Sequence, residues 1–271
     1  MLRQLLSTPW KAVGAPDLAK AIGTSRASVL RRLKTLEGSG VVRRVGDGRK
    51  VTFRIDTTSA AVPALFELVE LERMTGLPPP VRITLEDFMS GLDRERVHGV
   101  ILFGSHARGL GREDSDVDVC VVFKGDTIPG GERVELMAKG DVPTLMEVHE
   151  YSEDEFAWVP DLPALDALLH GITIHGHRWV LVKRSTLHSI RKELLTRRLA
   201  ETRDNLAMAM DGDEEERERY STIVEVSLAE METVIARGTT ISRQEVEPRG
   251  DHEWRIRCLE GILARIGDNV W

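Results

Sequence analysis

Gly104-Ser105 and Asp116-Val117-Asp118 lie ten residues apart in the chain, and their chemistries are complementary. A glycine followed by a hydroxyl residue at the start of a helical turn lets phosphate oxygens reach backbone N–H groups, the Ser105 hydroxyl and the nearby Arg108. Two aspartates one residue apart on a strand present both carboxylates on one face. Carboxylates that close repel each other and tend to hold a proton between them unless a cation compensates, so the pair is expected to share divalent ions. Mg2+ is the natural cation, because it takes oxygen ligands and fills its shell with water and substrate phosphates, which the Gly-Ser turn is placed to present. Turn and aspartate pair therefore read as one site.

Two strands must position these groups. His98–Phe103 has the length and apolar density of a buried strand that delivers the chain to Gly104. Asp116–Phe123 reads as a second strand carrying both aspartates, with Cys120 inside it. Between the two, Glu113 and Asp114 belong to a solvated loop.

With 271 residues the chain exceeds the usual domain, roughly 100–150 residues, so two or three units are expected. The net charge of −7 conceals an asymmetry. Residues 1–60 hold twelve Lys/Arg against four Asp/Glu, a net of +8, and the remainder carries −15. Two cysteines, Cys120 and Cys258, are too few and too far apart for a disulfide framework or a metal finger. No apolar stretch approaches the ~20 residues of a membrane span, so no membrane partner and a cytoplasmic location are expected.

In the basic segment, Pro16 opens a helix through Ile22, and Gly23-Thr24-Ser25 supplies a turn and an N-cap for a second helix. There Val29, Leu30, Leu33 and Leu36 recur at three- and four-residue steps, leaving Arg26, Arg31, Arg32 and Lys34 pointing largely away from the core. A hairpin with a basic tip follows, carrying Arg43, Arg44, Arg49 and Lys50. Residues 1–57 resemble a winged helix-turn-helix domain. The resemblance implies a recognition helix at Ser25–Glu37 in the DNA major groove, wing arginines on flanking phosphates, and the homodimers in which such domains often bind. A connecting helix is expected from Ala60, ending before Gly76-Leu77-Pro78-Pro79-Pro80, whose prolines read as a stiff spacer.

The pattern Gly-Ser-x-Ala-Arg-Gly followed by Ser-Asp-x-Asp, met by Gly104, Ser105, Ala107, Arg108, Gly109, Ser115, Asp116 and Asp118, resembles the minimal branch of the DNA polymerase beta-type nucleotidyltransferases. The likeness spans about residues 81–182 and includes Gly171–Gly176 as a closing strand. It implies a third carboxylate from a later strand, for which Thr144–Tyr151 is the candidate: Glu147, where the family often has aspartate, with Glu150 as the rival. It also implies a two-metal site, with Asp116, Asp118 and Glu147 as ligands and Glu147 able to accept the proton. Gly104 and Ser105 would hold the triphosphate, and Arg108 either assists them or braces the turn. His149 shares a strand face with Glu147 and is expected to be structural or superficial.

From Ser185 onward, apolar residues at helical spacing indicate a bundle, with Asp211–Glu218 as a solvated linker. The expected fold is α/β (α+β) and multi-domain: a winged helix at 1–57, a connecting helix and Pro-rich linker at 58–80, a nucleotidyltransferase fold with a mixed sheet at 81–184, and a helical domain at 185–271. The expected activity moves a nucleoside monophosphate from an NTP to an acceptor hydroxyl, chiefly on an RNA (tRNA included) or DNA end. The competing expectations are an antitoxin-like modifier of a protein acceptor and a DNA-binding regulator that only senses nucleotides.

Overall fold

A computed structural model of the chain describes residues 1–46, 51–125, 146–187 and 190–270. The chain opens with α1 (Leu2–Leu6), β1 (Val13–Gly14), α2 (Ala15–Ala21) and α3 (Arg26–Gly38), then β2 (Val42–Val45) and β3 (Thr52–Ile55). Ser25 caps α3 by accepting from the Ser28 N–H at 3.2 Å. The strands form an antiparallel sheet in the order β1-β3-β2. Leu5, Leu6, Leu18, Val29, Leu33, Phe53 and Ile55 close a core beneath it.

Val62 and Phe66 of α4 (Val62–Thr75) join that same core, while its other end is fixed to the central sheet by buried charge. Glu70 pairs with Arg73 at 3.1 Å and Arg184 at 3.6 Å and accepts from the Thr173 N–H. Its pKa is held below the ordinary value because the two guanidiniums outweigh the cost of burial. Arg73 also donates to the carbonyls of Gly171 at 2.6 Å and His170 at 2.7 Å.

The prolines do not form a spacer. Pro78 is the N-cap of α5 (Pro79–Gly91), and Pro79 and Pro80 open the helix, where their missing N–H groups cost nothing and their fixed φ is helical. The central unit continues with β4 (Val97–Phe103), α6 (Gly104–Arg108), β5 (Val117–Phe123), β6 (Met146–Ser152), α7 (Glu153–Phe156), α8 (Leu162–His170), β7 (Ile172–His175) and α9 (His177–Ser185). The strand order is β6-β5-β4-β7, with β4 antiparallel to β5 and β7, and β5 parallel to β6. The sheet is thus mixed.

Both sheet faces are covered, which is why β4 and β5 read as almost unbroken apolar runs. Val100, Leu102, Val119, Val121 and Val148 face α5. Ile101, Phe103, Cys120, Val122 and Tyr151 share a core with α8 and with the helices α10 (Lys192–Asp211), α11 (Glu214–Arg237) and α12 (His252–Leu263). The acidic cluster is not a linker. Asp211 ends α10, and Asp213 and Glu216 form a capping box at the start of α11, whose first turn is Glu214-Glu215-Glu216. Acids are favoured there by the unpaired N–H groups and the positive helix end. Among the described residues no helix is long and apolar enough to cross a membrane.

Candidate active site

β4 hands the chain to α6 at Gly104, whose φ is +70°. A Cβ built on Gly104 would stand 2.0 Å from Asp118 Oδ2 and 2.9 Å from its Cγ, so only glycine admits both this turn and the carboxylate beside it. Phe103 pairs with Asp118 across the β4–β5 ladder, which places the turn next to the aspartate. Asp116 lies just ahead of β5 and is exposed.

In the parallel β5–β6 register Asp118 stands opposite Glu147, and Cys120 opposite His149. Alternation puts Glu147, His149 and Tyr151 on the α8 side of the sheet, while Glu150 takes the α5 side with Val148. Glu147, not its rival, therefore borders the cleft. Ligand atoms of Asp118, Glu147 and His149 lie within 4.8 Å of one another, and His149 Nε2 is 3.2 Å from Glu147 Oε1. His149 was expected to be structural or superficial, yet it stands in the acidic cluster with its ring edge-on to Phe103 at 5.2 Å.

The cleft has a volume of about 780 Å³ and brings together Gly104, Ser105, Arg108, Asp116, Asp118, Glu147 and His149. Asp118 is pushed up to about 7, first by burial, then by the charges of Glu147, Asp116 and Asp166. The donor set of carboxylates and one imidazole fits a divalent cation, which would relieve that repulsion.

Arg108 turns toward protein groups. It pairs with Asp166 of α8 and donates to the Thr240 hydroxyl at 2.6 Å. The other Asp166 oxygen accepts from the Gly104 N–H at 3.1 Å, so one carboxylate holds both ends of the turn. α8 is aimed by its cap: Asp161 accepts from the Ala164 N–H at 2.9 Å and from the Tyr151 hydroxyl of β6 at 2.8 Å. Buried His106 holds the following loop through the Ser115 carbonyl at 3.1 Å.

The far wall comes from the carboxy-terminal helices and the segment after α11. Arg198 of α10 and Glu230 of α11 face each other at 3.4 Å, and burial pushes Glu230 up to about 7 despite the guanidinium. Gln244 reaches Ser115 Oγ at 3.3 Å, and Thr239 meets His170 Nε2 at 2.7 Å. Asp166, Arg198, Glu230 and Thr240 had no signature. The nearest to a sequence signal is Asp166, the single acid inside the apolar stretch Leu162–Leu169.

Arg26, Arg31, Arg32 and Lys34 of α3 and Arg43 and Arg44 of β2 are all exposed, Arg44 pairing with Glu37 at 3.3 Å. They lie far from the cleft in sequence and on a separate core. Arg49 and Lys50 fall outside the described residues, as do Thr144 and Leu145 of the expected third strand.

Residues 83–162 match the family model of the nucleotidyltransferase domain. The matched span holds the turn, both aspartates, Glu147 and His149, and ends before Asp166. It supports a nucleotidyltransferase enzyme of the polymerase beta type. No curated protein matches the chain.

Proposed function

We propose that the protein transfers a nucleoside monophosphate from an NTP to a hydroxyl at a nucleic-acid end, with residues 1–57 acting as a winged helix-turn-helix that grips the polynucleotide. The convergence of Asp116, Asp118 and Glu147 beside the Gly104-Ser105 turn carries the reading. Two Mg2+ ions, held by Asp116 and Asp118 with Glu147 as third ligand of one, would supply charge neutralisation and an acceptor hydroxyl of lowered pKa. Ser105 and the α6 N–H groups after Gly104, whose own N–H is taken by Asp166 and not left for phosphate as expected, would orient the triphosphate tail against the carboxylates. Arg108 and Asp166 brace the turn so that its donors are set before substrate arrives, which is where preorganised electrostatic catalysis has its advantage. Glu147, exposed at the cleft edge, is placed to take the acceptor proton.

The acceptor assignment is supported by the exposed cations of α3 and β2 on a strongly basic segment, a footprint suited to phosphate backbones. Incubating the full chain with labelled NTPs, Mg2+ and separate pools of RNA, DNA and protein tests it. Label in nucleic acid that disappears in Asp116→Asn is expected. Label in protein would replace it with an antitoxin-like modifier, and promoter binding without any label transfer would replace it with a nucleotide-sensing regulator.

A further inference from the structure

His149 stands on the cleft-facing side of β6 without a role in the reaction just proposed. Residues 147 and 149 are separated along the strand by about 7 Å, yet His149 Nε2 is 3.2 Å from Glu147 Oε1, and ligand atoms of these two and of Asp118 lie within 4.8 Å of one another. The Phe103 ring packs against the imidazole in a T-shaped arrangement, with ring centroids 5.2 Å apart and planes at 70°, which restricts the imidazole plane. Asp118 is held opposite Glu147 by the ladder, so two of the three donors are set by backbone and the third by packing.

Resting on the nucleotidyltransferase reading, we infer that His149 is a direct nitrogen ligand of the cation held by Asp118 and Glu147, and that this site prefers Mn2+ to Mg2+. The chemistry follows from ligand softness. Mg2+ favours an all-oxygen octahedron, whereas an imidazole among carboxylates suits a first-row ion, and of these Mn2+ best retains the oxygen-rich shell that phosphates complete. The 3.2 Å approach of His149 Nε2 to Glu147 Oε1 would then give way to a bond from each to one ion, with the imidazole proton carried on Nδ1.

The test is pulsed EPR on the full chain with Mn2+ and inorganic tripolyphosphate, a nitrogen-free substitute for the nucleotide tail, in protein carrying ¹⁴N- or ¹⁵N-histidine. A nitrogen modulation that changes with the histidine isotope is expected, and it should vanish in His149→Asn and His149→Gln. Titrations should show Mn2+ bound more tightly than Mg2+, with either variant losing about 10–100-fold in Mn2+ affinity and little in Mg2+ affinity. Far-UV circular dichroism of the metal-free variants controls for folding. Bound Mn2+ that Asp118→Asn removes but that shows no histidine nitrogen, or an unchanged Mn2+ to Mg2+ preference in both variants, overturns the inference and leaves the transferase reading intact. If neither ion binds the wild-type chain, both fall.

Discussion

Arg31, Arg32 and Lys34 stand in water along α3, whereas Asp118 is partly buried on β5 among the charges of Glu147, Asp116 and Asp166. The two regions use charge in opposite ways. Exposed cations retain their hydration and act at a distance through a field that salt screens within about 10 Å. Asp118 gives up much of its hydration and faces like charges, an arrangement worth keeping only where a cation enters. One surface is made to attract a polyanion of varied sequence, the other to fix a small ion and the phosphates around it.

Each half of that contrast can be broken separately. The largest effect is expected from Asp116→Asn, which should lower label transfer by about 10³-fold or more, as removal of a major electrostatic stabiliser does, while leaving nucleic-acid retention in gel-shift assays unchanged. Gly104→Ala comes next: its methyl would fall on Asp118 Oδ2 with the backbone at φ +70°, so about 1–3 kcal/mol of stability should be lost in urea unfolding, together with turnover.

The third effect runs the other way. Because the folded pKa of Asp118 lies near 7 against an ordinary 3.8, the folded state binds more protons than the unfolded chain between those values. That contribution is fully present below pH 4 and is lost as pH rises through about 7. Metal-free Asp118→Asn should therefore be more stable than the wild type at pH 8, by on the order of 1–2 kcal/mol, and the difference should disappear at pH 4. The smallest effect belongs to the basic surface. Arg43→Ala should weaken nucleic-acid binding almost equally for all sequences and reduce the slope of log affinity against log salt by about one, with no change in the pH behaviour of the cleft.

The parts legible in the sequence were those fixed by neighbours in the chain. The Gly-Ser turn, the strands on either side of it and the amphipathic α3 all depend on periods of two or 3.6 and on local caps, and the structure has them within a residue or two. Asp166 and Thr240 escaped because their partners, Gly104 and Arg108, are brought in by packing of α8 and of the segment after α11. His149 was placed on the face it occupies, but its approach to Glu147 was not legible, since strand alternation gives the side of the sheet and not how closely two side chains on it converge. The prolines and the acidic run were read by composition as linkers. Both occupy helix starts, where missing N–H groups and negative charge are favourable.

Parallel pairing of β5 with β6 sets Asp118 and Glu147 abreast although they are distant in sequence. Strands so paired cannot be joined by a tight hairpin; a long return of chain is obligatory. A single-residue slip within either strand would turn Glu147 to the face that Val148 occupies and take its carboxylate out of the cleft.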